Sequence, residues 1–265
     1  MQLYSIASGS SGNCIFVGEE KEGILIDVGI SMKRVLEGLR AKNLSFEQIQ
    51  AIFITHEHTD HICGLGPILR KVPIPVYATA DTIQAIWEKG NMKNISPDLF
   101  HSIRPREEVE IGDLLVRAFS ISHDAADPVC YTMEKDKKKI GIATDMGCYS
   151  DEIIENLGTC DSLLLEANHD INLLQVGPYP YSLKMRILGD KGHLSNDSSA
   201  RLIKEILHPG LQHVVLGHLS QENNFPELAY KTVLYELEQS QTWNQLDTEL
   251  LVANRQEPTE LLTIK

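Results

Sequence analysis

Between residues 55 and 61 the chain reads Thr55-His56-Glu57-His58-Thr59-Asp60-His61, directly after the apolar run Ala51-Ile52-Phe53-Ile54. Ionisable groups packed this densely are unfavourable unless something compensates for them. Imidazole and carboxylate are the donor types that hold divalent zinc, manganese or iron. Any fold for this chain must therefore bring the end of a strand, and the turn after it, to a place where cations can sit. Alternation along the strand points His56 and His58 the same way. The turn that follows swings Asp60 and His61 to a second position nearby. Ligands divided between two adjacent points favour a dinuclear centre over a single tetrahedral zinc.

Two metals need more donors than that cluster supplies, and three later positions fit. His123 follows the strand-like Ala118–Ser122, Asp145 follows Lys139–Thr144, and His218 follows His213–Gly217. Sheet ends are where α/β folds gather their functional loops. Further strand-like runs are Leu3–Ile6, Cys14–Val17, Gly23–Val28, Ala51–Thr55, Ile74–Ala78, Leu114–Ser122, Cys130–Lys135 and Ser162–Ala167, with a final pair near Leu250–Ala253 and Glu260–Ile264. Helical periodicity marks Ser31–Lys42, Asp81–Lys89, Asp151–Leu157, Ile171–Leu188, Asp197–Leu207 and Pro226–Ser240, with Ser195 or Asn196 as N-cap of the fifth. Interleaved strands and helices are an α/β pattern. The early strands follow one another like hairpins, unlike a purely parallel sheet. No repeat, low-complexity stretch or linker divides the chain, so one domain over 1–265 is expected.

The net charge, 24 − 37 = −13, argues against a protein that coats nucleic acid through a broad basic surface. Any such contact must be local, through the metals and a few lysines and arginines. Five dispersed cysteines with no CxxC pair read as reduced thiols, mostly core filler, in a cytoplasmic protein. The first residues look like a strand rather than a leader, and no apolar run reaches membrane-spanning length. No membrane association is expected.

The order of these elements resembles the metallo-β-lactamase superfamily. The resemblance is carried by Ile24-Leu25-Ile26-Asp27-Val28-Gly29, by His56, His58, Asp60 and His61, and by His123, Asp145 and His218. It implies an α/β fold, the αββα four-layer sandwich, with two divalent metal ions (Zn, Mn or Fe) at one edge. It also implies that His56, His58 and His123 bind one metal, that Asp60, His61 and His218 bind the other, and that Asp145 bridges them. Asp27 would support the metal loop. Redox-type members carry a glutamate where this chain has His58, which favours a hydrolytic centre. Narrower segments, Ala7-Ser8-Gly9-Ser10-Ser11-Gly12-Asn13, Leu164-Leu165-Glu166-Ala167-Asn168-His169-Asp170, Gly192-His193-Leu194-Ser195-Asn196 and Gly217-His218-Leu219-Ser220, are similar to the WalJ (YycJ) family. That likeness implies a nuclease degrading DNA from the 5′ end. The Glu166 and His193 segments are also similar to ribonucleases Z and J, but the roughly fifty residues between Asp145 and His193 leave no room for ribonuclease J's large inserted domain.

The expected activity is therefore a dinuclear metal-dependent phosphodiesterase, a 5′-to-3′ exonuclease on DNA rather than RNA. Asp60 belongs with the catalytic groups as well as the ligands, because bridging water becomes hydroxide between two cations. His193, held protonated by Glu166 as the resemblance suggests, would protonate the leaving oxygen. Substrate contacts are expected from Asn168 and His169, from Ser10 and Asn13 in a Ser/Gly loop, and from Lys184 and Arg186 with Lys191 close by. For Tyr179, Tyr181 and Cys63 ordinary packing is favoured. His101, His208 and His213 lack ligand-like context. Two other readings compete: a glyoxalase II-like thioester or lactone hydrolase, and a binding protein without turnover. Only 47 residues follow His218, less than a helical substrate domain needs, and the complete ligand set argues against lost turnover.

Overall fold

The computed structural model of the protein describes residues 1–265. Its strands form two seven-stranded sheets. The first contains β1 (Gln2–Ala7), β2 (Cys14–Gly18), β3 (Gly23–Ile26), β4 (Ile49–Phe53), β5 (Val76–Ala78) and β6 (Phe100–Ser102). The second contains β7 (Glu108–Ile111), β8 (Leu114–Ser120), β9 (Val129–Lys135), β10 (Lys138–Ala143), β11 (Ser162–Glu166), β12 (His213–Gly217) and β13 (Glu249–Val252). The last strand, β14 (Leu262–Thr263), returns to the first sheet and pairs antiparallel with β1. Strands such as β2, β3 and β11 are buried at every position. A strand covered on both faces reads as a continuous apolar run, as these do.

Each sheet changes from antiparallel to parallel pairing at the same point. In the first, β14, β1, β2 and β3 pair antiparallel and β3 to β6 parallel. In the second, β7 to β10 pair antiparallel and β10 to β13 parallel. The two halves thus repeat one topology with no matching period in the sequence.

Alternation sorts the side chains into three cores. Ile24 and Ile26 of β3 point inward with Phe53, Tyr131, Ile142 and Val215, filling the space between the sheets. Leu25 points outward and packs with Val35 and Leu39 of α1 (Met32–Arg40), then α2 (Thr59–Ile62), α3 (Leu65–Leu69) and α4 (Ala80–Glu88). On the far side α5 (Asp151–Leu157), α8 (Asn196–Ile206) and α9 (Pro226–Glu238) cover the second sheet through Leu157, Ile203 and Val233. Two short helices, α6 (Ile171–Val176) and α7 (Tyr181–Leu188), bridge β11 to α8. The layers run helix, sheet, sheet, helix, the α/β sandwich expected. No helix is long and apolar enough to cross a membrane.

Several local expectations change. The single helix expected over Ile171–Leu188 is two, because Gly177-Pro178-Tyr179-Pro180 interrupts it and Pro180 caps α7; proline supplies no amide donor. The strands near Leu250 and Glu260 are not partners, since β13 adds to β12 and β14 to β1. Strand β4 stops at Phe53, so His56 and His58 owe their common direction to the loop rather than to strand alternation. The elements β6, β7, α2 and α3 are 3 to 5 residues long, too short to show a period. Ser195 is the N-cap of α8, accepting the amide of Ser198.

Candidate metal centre

The parallel halves of both sheets end at one rim. Asp27 follows β3, the His56–His61 turn follows β4, Asp145 follows β10, Glu166 ends β11 and His218 follows β12. Asp27, Asp145 and His218 have positive φ, at 57°, 63° and 53°. Asp and His tolerate the left-handed region better than most residues, and such outliers gather at functional sites. Here the conformation ends each strand and turns its side chain into the gap between the sheets.

The metal turn is held from beneath by the loops after β1 and β3. Asn13 N donates to Asp60 O at 2.8 Å and Val28 N to His61 O at 2.9 Å. A Cβ on Gly29 would lie 1.6 Å from Asp60 O, so no side chain fits between the two backbones. Buried Asp27 accepts Thr55 N at 2.9 Å, Thr55 Oγ1 at 2.9 Å and His61 Nδ1 at 2.7 Å. The Thr55 hydroxyl also lies 3.0 Å from His56 Nδ1 and 3.1 Å from His61 Nδ1. Both rings are engaged through Nδ1, which turns Nε2 to the centre; Asn13 Nδ2 lies 3.2 Å from His61 Nε2 there. His123 Nδ1 contacts Gly192 O at 3.2 Å, with the same result.

The donors gather in overlapping groups. His56, His58 and His123 offer atoms all within 4.8 Å of one another, as do Asp60, His61 and His218. Asp145 groups both with His56 and His61 and with His218, Glu166 and His193. His58 Nδ1 and His123 Nε2 are 3.3 Å apart. His61 Nε2 stands 3.3 Å from Asp145 Oδ2, and His218 Nε2 3.3 Å from Asp145 Oδ1. Ligands at about 2.0–2.1 Å from a tetrahedral zinc are about 3.3–3.4 Å from each other. Three buried atoms here, His56 Nε2, Asp145 Oδ2 and His218 Nδ1, have no hydrogen bond; the His61–Asp145 contact is close but poorly aligned for one. Unpaired buried donors and acceptors are costly, and a cation is what this set fits.

The electrostatics agree for His56, His123 and Asp145. Burial, with the neighbouring imidazoles, pushes His56 well below the usual histidine range. Burial likewise lowers His123 despite nearby Asp145. Both favour the neutral form that ligates. Burial opposes charge on Asp145, yet His218 and His61 hold its carboxyl well below the ordinary value. His61 moves the other way: burial lowers it, and Asp27, Asp145 and Asp60 together raise it.

Beside these donors His193 Nδ1 meets Glu166 Oε1 at 2.7 Å, while Glu166 Oε2 accepts Met146 N at 2.8 Å and Leu194 N at 3.2 Å. Burial alone would lower the His193 pKa, but the Glu166 carboxylate and its hydrogen bond, with Asp145 and Asp60 behind them, raise it to about 9. His169 is buried with Nε2 unpartnered, and burial lowers its pKa to about 4.

The expected substrate contacts divide. Ser10 is exposed on its loop, but the amides of Gly9, Gly12 and Asn13 are already bonded within the scaffold. Asn13 and Asn168 are buried, and their side chains secure ligand-bearing backbone: Asn13 Nδ2 donates to Asp60 O, Asn168 Nδ2 to His218 O. Lys184 Nζ caps the end of α6 at Gln175 O and Gly177 O. Arg186 pairs with Asp124, Nη2 to Oδ1 at 3.0 Å. Two packing expectations are corrected: Tyr181 is 78% exposed, and Cys63 is exposed with its thiol on Gly29 O. Of the five free cysteines only Cys14, Cys130 and Cys160 are core. A surface cavity of about 570 Å³ between Arg106, Arg117 and Glu152 includes none of the donors in its lining. It is an open, wholly polar groove and carries no chemistry of the rim.

Three supports escaped sequence reasoning. Thr55 links Asp27 to two ligand rings, Ser8 Oγ accepts His218 N at 2.9 Å, and Asp124 Oδ1 lies 3.5 Å from His123 Nε2. Asp124 directly follows a candidate ligand and could have been flagged by that adjacency. Ser8 lies 210 residues from its partner, and nothing local betrays it.

The family described as "Beta-lactamase superfamily domain" matches residues 23–218. An exodeoxyribonuclease WalJ from Streptococcus pneumoniae is 39% identical over 238 residues, 89% of this chain and 88% of that protein. An exodeoxyribonuclease YycJ from Bacillus anthracis is 36% identical over 234 residues, covering 88% of each. The crystal structure of the metallo-beta-lactamase fold protein YhfI from Bacillus subtilis superposes with a TM-score of 0.69 at 17% identity, over 98% of this chain and 100% of that one.

Proposed function

This chain belongs to the β-lactamase superfamily, and on that premise we propose that it is a dinuclear metal-dependent exonuclease on DNA, working from the 5′ end. It is a metal-dependent hydrolase. His56, His58 and His123 would hold one divalent ion, Asp60, His61 and His218 a second, with Asp145 between them. Zinc, manganese and iron all suit this donor set. Such ions supply Lewis-acid stabilisation of a phosphoryl group and lower the pKa of water.

The chain's own residues supply the rest. The Asp27–Thr55 pair fixes the rings of His56 and His61, and Asn168 fixes the His218 backbone. His193, kept protonated by Glu166 at Nδ1, would deliver the proton on its other ring nitrogen to the leaving sugar oxygen. The observation that carries the reading is this charged pair, 2.7 Å long and beside the donor cluster. A poor leaving group needs such an acid, whereas a thiolate leaving from a thioester does not. The free thiols fit a reducing, cytoplasmic setting. The 1–265 stretch would act as one domain.

The test loads the protein with zinc, manganese or iron(II) in turn and measures release of nucleotides from matched DNA and RNA, with a thioester alongside. Processive loss from the 5′ end of DNA is expected. His58→Ala should lose both metal and activity. His193→Ala should keep its metal by elemental analysis and lose about 10²–10⁴-fold in kcat. Full activity in metal-loaded His193→Ala would remove the proposed acid, and metal loss there would recast His193 as a ligand.

A further inference from the structure

One strand beyond His218 the same rim opens into a pocket that the metal centre does not use. β13 runs parallel to β12, with Leu216 opposite Val252. The residues after β13 therefore emerge beside the loop that begins at His218. With Leu219, Asn224 and Phe225 they enclose about 340 Å³, within the roughly 300–1,000 Å³ typical of small-molecule sites.

Two hydrogen bonds fasten its wall to the centre. Ser8 N donates to Asn254 O at 3.2 Å, and Ser8 Oγ accepts the amide of His218 at 2.9 Å. Arg255 lies across Gly9, its Cγ 2.5 Å from where a Cβ on that glycine would sit, and Gly9 bridges to Leu219. The absent side chain leaves room for the arginine stem.

The guanidinium has no counterpart. In a chain with 37 acidic residues Arg255 forms no ion pair, and its buried Nη1 has no hydrogen-bond partner. Glu257, the carboxylate on the pocket wall, is not paired with it. An unpaired guanidinium fork matches the oxygens of a phosphate. Phe225, on the same pocket, is 49% exposed, and a bare aromatic face accepts any base.

We propose that this pocket is a nucleotide subsite of the same centre, with Arg255 on a strand phosphate and Phe225 on the neighbouring base. The proposal rests on the nuclease reading above. A terminal phosphate monoester and an internal diester share the required chemistry, and the experiment separates them.

Metal-loaded wild type, Arg255→Ala, Arg255→Lys and Phe225→Ala are titrated with fluorescein-labelled phosphorothioate oligonucleotides carrying either a 5′-phosphate or a 5′-hydroxyl. Turnover of bis(p-nitrophenyl) phosphate, which carries neither a nucleobase nor a second phosphate, is measured in parallel. Arg255→Ala should weaken binding about 10- to 100-fold, Arg255→Lys should recover part of it, and Phe225→Ala should weaken both oligonucleotides. Small-substrate turnover should not change. Loss confined to the 5′-phosphate strand assigns the terminal group; equal loss on both assigns an internal phosphate. Unchanged binding by Arg255→Ala overturns the subsite. Wild-type protein that binds the strands but leaves the small diester intact would count against the hydrolytic reading and not against the pocket.

Discussion

Replacing Glu166 by glutamine tests the proton donor without removing it. Glu166 Oε2 already accepts two backbone amides, from Met146 and Leu194, and Oε1 faces His193 Nδ1. A glutamine must keep its carbonyl oxygen on the amides, since an NH₂ there would oppose two N–H groups. Its own NH₂ then faces His193 Nδ1, which can accept it only as neutral imidazole. The substitution thus removes the charge that holds the proton and also favours its loss. With a pKa of about 9, His193 is about 90% protonated at pH 8, against about 3% at the ordinary value of 6.5. Because burial and the glutamine NH₂ both push the variant's imidazole below that ordinary value, activity per unit of metal-loaded enzyme should fall about 30-fold or more at pH 8 and by a smaller factor at pH 6. Bound cations offset the shares of Asp145 and Asp60, so the wild-type alkaline limb lies at or below about 9, and the variant's lies lower still. Stability follows the same sign. A histidine raised in the folded state stabilises fully below its unfolded pKa and loses that contribution as pH rises through the folded one. The wild-type Tm should therefore decline between pH 6.5 and about 9 more steeply than the variant's. The assay is kcat/KM for nucleotide release from DNA, whose leaving sugar oxygen needs the acid, from pH 5.5 to 10 at constant metal content. An alkaline limb that stays in place in Glu166→Gln would refute the role of this pair.

Two further substitutions probe the frame beneath the centre. Asp27→Asn either puts an NH₂ where His61 Nδ1 has its acceptor or, flipped, sets that NH₂ against Thr55 N; metal affinity, by competition with a chelating dye, should fall about 10–100-fold, and unchanged affinity would show the ring is fixed by other contacts. Gly29→Ala puts a methyl group 1.6 Å from Asp60 O. Because the obstacle is backbone, the loss should exceed about 3 kcal/mol by chemical denaturation, with metal binding reduced alongside; a Tm equal to wild type would refute the close approach.

How much of this was legible in the residues follows from distance along the chain. The turn from His56 to His61 announces itself because its donors are neighbours. His123, Asp145 and His218 were legible as single polar residues after apolar runs, since each strand's hydrophobic stretch marks where the next residue reaches the rim. The buried strands β2, β3, β11 and β12 were legible as continuous apolar runs, which need no period to be recognised. What stayed hidden depends on partners far apart: Ser8 under His218, Asn254 on Ser8, β14 returning to β1. Helix periodicity also carried Ile171–Leu188 across a Pro178–Pro180 break that backbone chemistry forbids. There local turn chemistry should have outweighed the apolar pattern.

The duplicated topology explains why the centre is lopsided. Strands β3 and β10 hold the same place in their sheets, at the change from antiparallel to parallel pairing. Each is followed within two residues by an aspartate in the left-handed conformation, Asp27 and Asp145. Equivalent backbones therefore aim two carboxylates at one gap. Asp27 is met there by Thr55 and His61 Nδ1, which engage both its oxygens. Asp145 is met by ring nitrogens at 3.3 Å and keeps Oδ2 without a hydrogen bond. A carboxylate whose lone pairs are filled by donors orients its neighbours, and one whose lone pairs are left open draws a cation. The difference lies in what faces each strand end. Exchanging the two roles would require moving Thr55 and the His61 ring, and not the aspartates themselves.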